Sequence, residues 1–394
     1  MTIDRDSKQI DPNWWKTKPV ARKLLSAVYR PRAYVELLRE SVDNCLTYGP
    51  RVMTEYGLRN LASDLYGQLA IAWSYGLDPG DWFAYRYWDS DWDDIRAYSD
   101  IGVIQGWLNE HKATAADLAV CTNKIAFYHF CRTHEIPTIP IIGYARDGHY
   151  TPLPDPQCTI PPQGPLIVKP AAANSGSGIH VLSFDVGTYV NDEGVSWRWT
   201  GLKDALARKS ERSGHAIIVQ PFIRNAPSWQ RFTSGGLATV RLLTGRFPDG
   251  HVECLRASLR MPAGNAVIDN FSQGNLASAI DLDTGKLSTG VQKYPGSRGH
   301  AFPNHPDTEA RIAGTVMPEW AHILEQALHL HENLEVPILG LDVTLSARGV
   351  RVVEANPFYG RRAVEIPHGA PLSETRFTDV VQAWTDTIPN GEGR

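Results

Sequence analysis

The sequence lacks most of the features that would assign it at sight. Its five cysteines (Cys45, Cys121, Cys131, Cys158 and Cys254) are odd in number, scattered, and never spaced CxxC. That signals neither a disulfide framework nor a zinc site. No stretch approaches the roughly 18 consecutive apolar residues that a membrane span needs. Neither sign of charge dominates: 39 Lys and Arg stand against 43 Asp and Glu, a net −4, so nucleic acid is not an expected partner. The opening "MTIDRDSKQIDPNWWKTKPV" has no apolar h-region, and a cytoplasmic protein is expected. GxxxxGK[ST] is absent, and "GSGIHV" lacks the third glycine of GxGxxG, so neither a P-loop nor a Rossmann turn is present.

What is present is ordinary globular material with a change of texture. Hydrophobic residues make up 42% of 394, enough for two or three packed domains. Residues 1–115 read as helical, with Leu58, Leu61, Leu65 and Leu69 at helical spacing. The aromatic run "DPGDWFAYRYWDSDWDD" reads as core packing around a sharp turn. Beyond it, helices alternate with short β-branched runs that pair as hairpins, an α+β pattern rather than a doubly wound sheet. "CTNKIAFYHFCRTHEIPT" reads as one helix ended before Pro137, and "PDPQCTIPPQGP" as a Pro-rich connector. Two units are expected after the helical one, 116–218 and 219–394.

Two places carry chemistry. "PLIVKP" and "IHVLSF" are strand-like and enclose "AAANSGSG", so this small-residue stretch reads as a hairpin tip whose N–H groups can wrap phosphate. Lys169, at the end of the entering strand, adds a fixed positive charge. The second place is "GLDVTLSARGVRVVEANP". Glu354 and Asn356, two apart on a strand, share one face, and a hairpin can bring Asp342 opposite them. Three hard oxygen donors on one face suit Mg²⁺, with Mn²⁺ as the substitute. The bland alternative, acids on a solvent-facing edge, fits poorly with the apolar flanks "ILGLDV" and "VRVVEANP". His322, His329 and His331 diverge around one helix and read as surface histidines; Cys121 and Cys131 read as helix packing.

In this order, the lysine, the loop and the D…ExN cluster resemble the ATP-grasp superfamily over roughly residues 116–362. The resemblance implies two α+β subdomains clasping ATP, behind an N-terminal helical, aromatic-rich extension. It makes Lys124 and Lys169 the nucleotide lysines, and Ala173, Ser175, Gly176, Ser177 and Gly178 a loop over the phosphates. "IVQPFI", with Gln220 and Phe222, becomes the adenine-reading hinge, and Asp342, Glu354 and Asn356 the metal ligands. Pro221 stands where many relatives carry a glutamate, which leaves the ribose contact unassigned. "YGLDPGDWFAYRYWD", "ATVRLLT" and "VIDNFSQGN" look like the sugar-transfer-associated, α-L-glutamate-ligase-like branch.

That resemblance implies a ligase that activates a carboxylate as an acyl phosphate and hands it to an amine. Arg241 and Arg260 would fork onto carboxylate or phosphate oxygens; Arg256 is as readily a surface ion pair. Asn270 and Gly274 would shape the acceptor side, and Arg361 and Arg362 would hold a substrate carboxylate. The expected partners are a small carboxylate and an amine, drawn from amino acids, peptides or sugar acids. The oligomeric state stays open, a dimer included. So do two other readings: a non-catalytic ATP-binding scaffold, and transfer to a hydroxyl or thiol.

Overall fold

The β-branched runs resolve into two sheets. The computed structural model describes residues 31–57, 60–99, 101–156, 158–172, 178–264, 271, 274–293 and 301–387. The first sheet holds β1 (Gly143–Arg146), β2 (His149–Pro152), β3 (Leu166–Pro170), β4 (His180–Asp185), β5 (Thr188–Val190), β6 (Ser196–Arg198) and β7 (Ile217–Pro221). Their order across the sheet is β2-β1-β7-β3-β4-β5-β6. The second holds β8 (Thr239–Arg246), β9 (Val252–Met261), β10 (Leu276–Ile280), β11 (Val291–Gln292), β12 (Ile338–Ser346) and β13 (Gly349–Asn356), ordered β11-β10-β9-β8-β12-β13. Every ladder among the described residues is antiparallel. The hairpin-rich α+β expectation therefore stands.

The central strands of the second sheet are covered on both faces. One face sends Leu242, Leu259, Leu341 and Val343 into a core closed by Ile323, Ala327 and Leu330 of the helix Trp320–Glu332. On the other face, Leu243, Leu255 and Ile338 pack with Leu108 and with Phe377 and Val380 of the C-terminal helix Phe377–Asp386. The N-terminal helices, Pro31–Tyr56 and Leu61–Tyr75 foremost, reach this side too: Trp82, Phe83, Tyr85 and Tyr87 are buried in a core shared with Ala277 of β10. The aromatic run is core packing, as its composition suggests. A strand covered on both faces reads as a continuous apolar run, and β12 is buried from end to end. Gly340 is required there, because a Cβ at that position would lie 2.4 Å from the Cβ of Tyr359.

One helix joins the two sheets. "CTNKIAF" is not a single helical stretch: a helix ends at Thr122 and another runs Lys124–Thr133, because the Asn123 side chain caps the second by accepting from the N–H groups of Ile125 and Ala126. This second helix presents Phe127 and Cys131 to the core of the second sheet and Ile125 and Tyr128 to that of the first. Among the described residues, no helix is long and apolar enough to cross a membrane.

Candidate functional site

Cross-strand register builds the site. In the β12–β13 hairpin Asp342 pairs directly with Glu354, and on its other side with Arg241 of β8. Gly340 pairs with Asn356, so Asp342, Glu354 and Asn356 share a face, as the two-residue period predicts. The Asn356 amide donates to Glu354 Oε1 at 3.1 Å.

The arginines expected to meet substrate meet Asp342 instead. Arg241 Nε and Nη2 donate to its two carboxylate oxygens at 2.5 and 3.0 Å, and Arg260 Nη2 lies 2.8 Å from Oδ2. All three side chains are buried. Burial alone would raise the Asp342 pKa, but the guanidiniums of Arg241 and Arg260 outweigh it and hold the carboxyl well below the usual carboxylate range. Asp342 is thus a permanently ionised anchor, while Glu354 and Asn356 are only half buried.

These two line a cleft with Lys124, Thr122, Cys121 and Phe127. Lys124 is the first residue of its helix, and its backbone N–H donates to the Ala171 carbonyl at 2.9 Å. That bond ties the helix start to the exit of β3, which carries Lys169. Burial pushes Lys169 down to about 8, with Glu354 pulling it up and Lys124 pushing it further down. Both lysines and Glu354 therefore act on one another across a short space. Val168 pairs with His180, so the small-residue stretch does join two strands of a hairpin. Gly178 takes φ +74° at its far end, a conformation that glycine adopts without steric cost. Ala173, Ser175, Gly176 and Ser177 lie outside the described residues, as does Asn270.

The remaining candidates are placed elsewhere. Gln220 is buried and donates to the Ile139 carbonyl, and the Phe222 N–H donates to the Pro165 carbonyl, so both tie down the end of β7. Gly274 is exposed, its carbonyl accepting from Gln292. Arg361 and Arg362 both close on buried Asp81; Arg361 also reaches Glu365 and Tyr85, and Arg362 reaches Asp78. They join the N-terminal aromatic segment to the C-terminal region, with their guanidiniums engaged by protein acids rather than facing the cleft. Arg256 is no surface ion pair: it donates to the carbonyls of Ala370 and Pro371. His331 is not a surface histidine, since it is fully buried between Thr244 Oγ1 and the Val336 carbonyl, and burial lowers it to about 4. Burial pushes the thiols of Cys121 and Cys131 up to about 12, which makes them poor nucleophiles.

A family model described as sugar-transfer associated ATP-grasp matches residues 110–380, more than half of the chain. The chain belongs to this ATP-grasp family. Its two-sheet architecture is the ATP-grasp fold, and ATP is the nucleotide of that fold. Among solved structures it is similar to the D-alanine–D-alanine ligase from Bacillus anthracis complexed with ATP, at 14% identity and a TM-score of 0.41, over 75% of this chain and 77% of that one. It is also similar to the L-amino acid ligase from Bacillus licheniformis, at 14% identity and a TM-score of 0.35. There the match takes in 64% of this chain and spans only 44% of the ligase. No curated protein matches the chain.

Proposed function

We propose that this ATP-grasp protein is a ligase that joins a small carboxylate to an amine through an acyl phosphate, releasing ADP and phosphate. The observation that carries the reading is the cleft itself, where Lys124 faces Glu354 and Asn356 while Lys169 stands within electrostatic reach of both Lys124 and Glu354. Two cations beside hard oxygen donors suit a polyphosphate. Phosphoryl transfer asks a protein chiefly for positioning and charge neutralisation. The units 116–218 and 219–394 would be the two halves that hold the nucleotide.

The donor set fits a divalent cation. Glu354 and Asn356 offer a carboxylate and an amide oxygen side by side at the cleft, with the ionised Asp342 as the third hard donor, so Mg²⁺ or Mn²⁺ would be held there. Once bound, such an ion would neutralise phosphate charge. Lys124 and Lys169 would hold the phosphates by their positive charge. The substrate carboxylate attacks the γ-phosphorus, the bond to the β,γ-bridging oxygen breaks, and ADP leaves. The amine then attacks the acyl carbon, phosphate leaves, and the amine gives up a proton. Arg241 and Arg260 act in this state as positioning residues, keeping Asp342 charged and fixed.

The test is ADP release from ATP and Mg²⁺ over a panel of amino acids, peptides and sugar acids, each with and without an amine. Hydroxylamine is added to trap the activated acid as a hydroxamate. ADP release that requires one carboxylate, together with its hydroxamate, supports the ligase. ADP release with a hydroxyl or thiol acceptor and no carboxylate overturns it, as does tight ATP binding without turnover across the panel.

A further inference from the structure

A second concavity lies away from the lysine cleft. It is a groove of about 380 Å³ between the connector 158–165, the exit of β7 and the tip of the β12–β13 hairpin. Its floor is apolar: Ile139, Ile142, Leu166, Pro221 and Phe222. Leu166 and Pro221 pair directly, whereas Ile167 and Lys169 point to the opposite face of the same strand. The groove thus draws on the side of the sheet turned away from the nucleotide lysine.

Its charge is one-sided. Arg224, Arg348 and Arg351 line it, and among the described residues no acidic one does. Arg348 and Arg351 sit on one hairpin close enough to interact: burial lowers the Arg351 pKa first, and the Arg348 charge lowers it further. Asp155, the acid that partly offsets this, is itself buried and engaged by Tyr128 and Arg132. On the adjoining segment, whose Asn225 bridges to Ser346 at the hairpin tip, Arg224 lies 5.5 Å from the centre of the Phe222 ring, stacked against the apolar floor. Guanidiniums gathered at the mouth of a proline- and aliphatic-lined groove match a small anion that carries an apolar body. The volume is that of an ordinary small-ligand site.

We propose that this groove binds a small organic anion, a carboxylate or phosphate attached to an apolar group, with Arg348 and Arg224 gripping the anion from adjoining segments at the hairpin tip. The site is independent of the ligase reading and stands or falls separately.

Calorimetric titration of the full chain with benzoate, phenyl phosphate and uncharged benzyl alcohol tests it. At least one of the two anions should bind, the tighter one identifying the oxyanion, and benzyl alcohol should not. Arg348→Ala and Arg224→Ala should each weaken that binding by about tenfold, as expected for a lost charged hydrogen bond. Both residues are exposed, so the folds of these variants should be intact. Lys169→Ala should leave the anion's affinity unchanged. Failure of both anions to bind overturns the proposal. So does wild-type affinity in both arginine variants, or loss of binding in Lys169→Ala, which would move the anion to the nucleotide cleft.

Discussion

Two buried aspartates in this protein are each closed on by two arginines: Asp342 by Arg241 and Arg260, and Asp81 by Arg361 and Arg362. The chemistry of the two clusters is nearly the same; their placement is not. The first is built within one sheet, and its next neighbour across the hairpin is Glu354, on the cleft. The second joins residues some 280 positions apart and passes its charge to Glu365 and Tyr85, deep in the seam between the N-terminal helices and the C-terminal region. An arginine pair by itself therefore says little about substrate. What decides its role is whether the acid it holds is coupled to a cleft.

That contrast can be broken by neutralising each acid in turn. Asp342→Asn leaves two buried guanidiniums without their counter-charge, a loss of about 3–5 kcal/mol, and it should also abolish ADP release from whatever protein still folds. Denaturant melts beside turnover per folded molecule measure both parts. Asp81→Asn should cost a similar stability, about 3–5 kcal/mol, while turnover per folded molecule stays near wild type at low temperature. If Asp81→Asn removes turnover as thoroughly as Asp342→Asn does, the seam belongs to the active site and the contrast fails.

Glu354→Gln separates rate from stability at the same hairpin. Glu354 is half buried and faces the cleft, so the amide should fit with a change in stability of about 0.5 kcal/mol or less. Turnover should fall by roughly 10²–10³-fold, the usual scale for losing one group that stabilises developing charge. A folded Glu354→Gln protein that releases ADP at the wild-type rate would remove Glu354 from the chemistry.

How much of this could be read in advance followed from the range of each interaction. The juxtaposition at the hairpin was legible because two-residue alternation and a short turn fix Asp342 against Glu354 within fifteen residues of sequence. The hairpin around the glycine- and serine-rich stretch was legible for the same reason. The Arg241–Asp342 pair was not, since it depends on β8 and β12 lying side by side although 101 residues separate the partners. The partners of Arg361 and Arg362 were less legible still, because they come from a helical segment whose docking no local pattern encodes. His331 was lost to a simpler cause: on an amphipathic helix one histidine faces inward, and hydrogen bonds to Thr244 and Val336 make its burial tolerable. The break between Thr122 and Lys124 had a signal in plain view, an asparagine at an N-cap position.

The smallest effect expected lies in the pH dependence of Lys169, and it has two opposite signs. In the nucleotide-free protein its pKa is lowered to about 8, against roughly 10.4 in an unfolded chain. Between those values the unfolded chain holds more protons than the folded one, so stability rises with pH across that window. Nucleotide affinity should move the other way. The phosphates need the ammonium, so ATP binding should weaken as the pH climbs through about 8, by at most about tenfold per unit. Titrating ATP into the protein on both sides of that pH measures the slope. Lys169→Arg should flatten it, because a guanidinium stays protonated throughout. The same variant should leave the stability loss caused by Asp81→Asn unchanged, since the seam contains neither Lys169 nor its neighbours Lys124 and Glu354. An ATP affinity equally pH-dependent in wild type and Lys169→Arg would mean that another group titrates at the phosphates, and that Lys169 is not the cation which the cleft offers them.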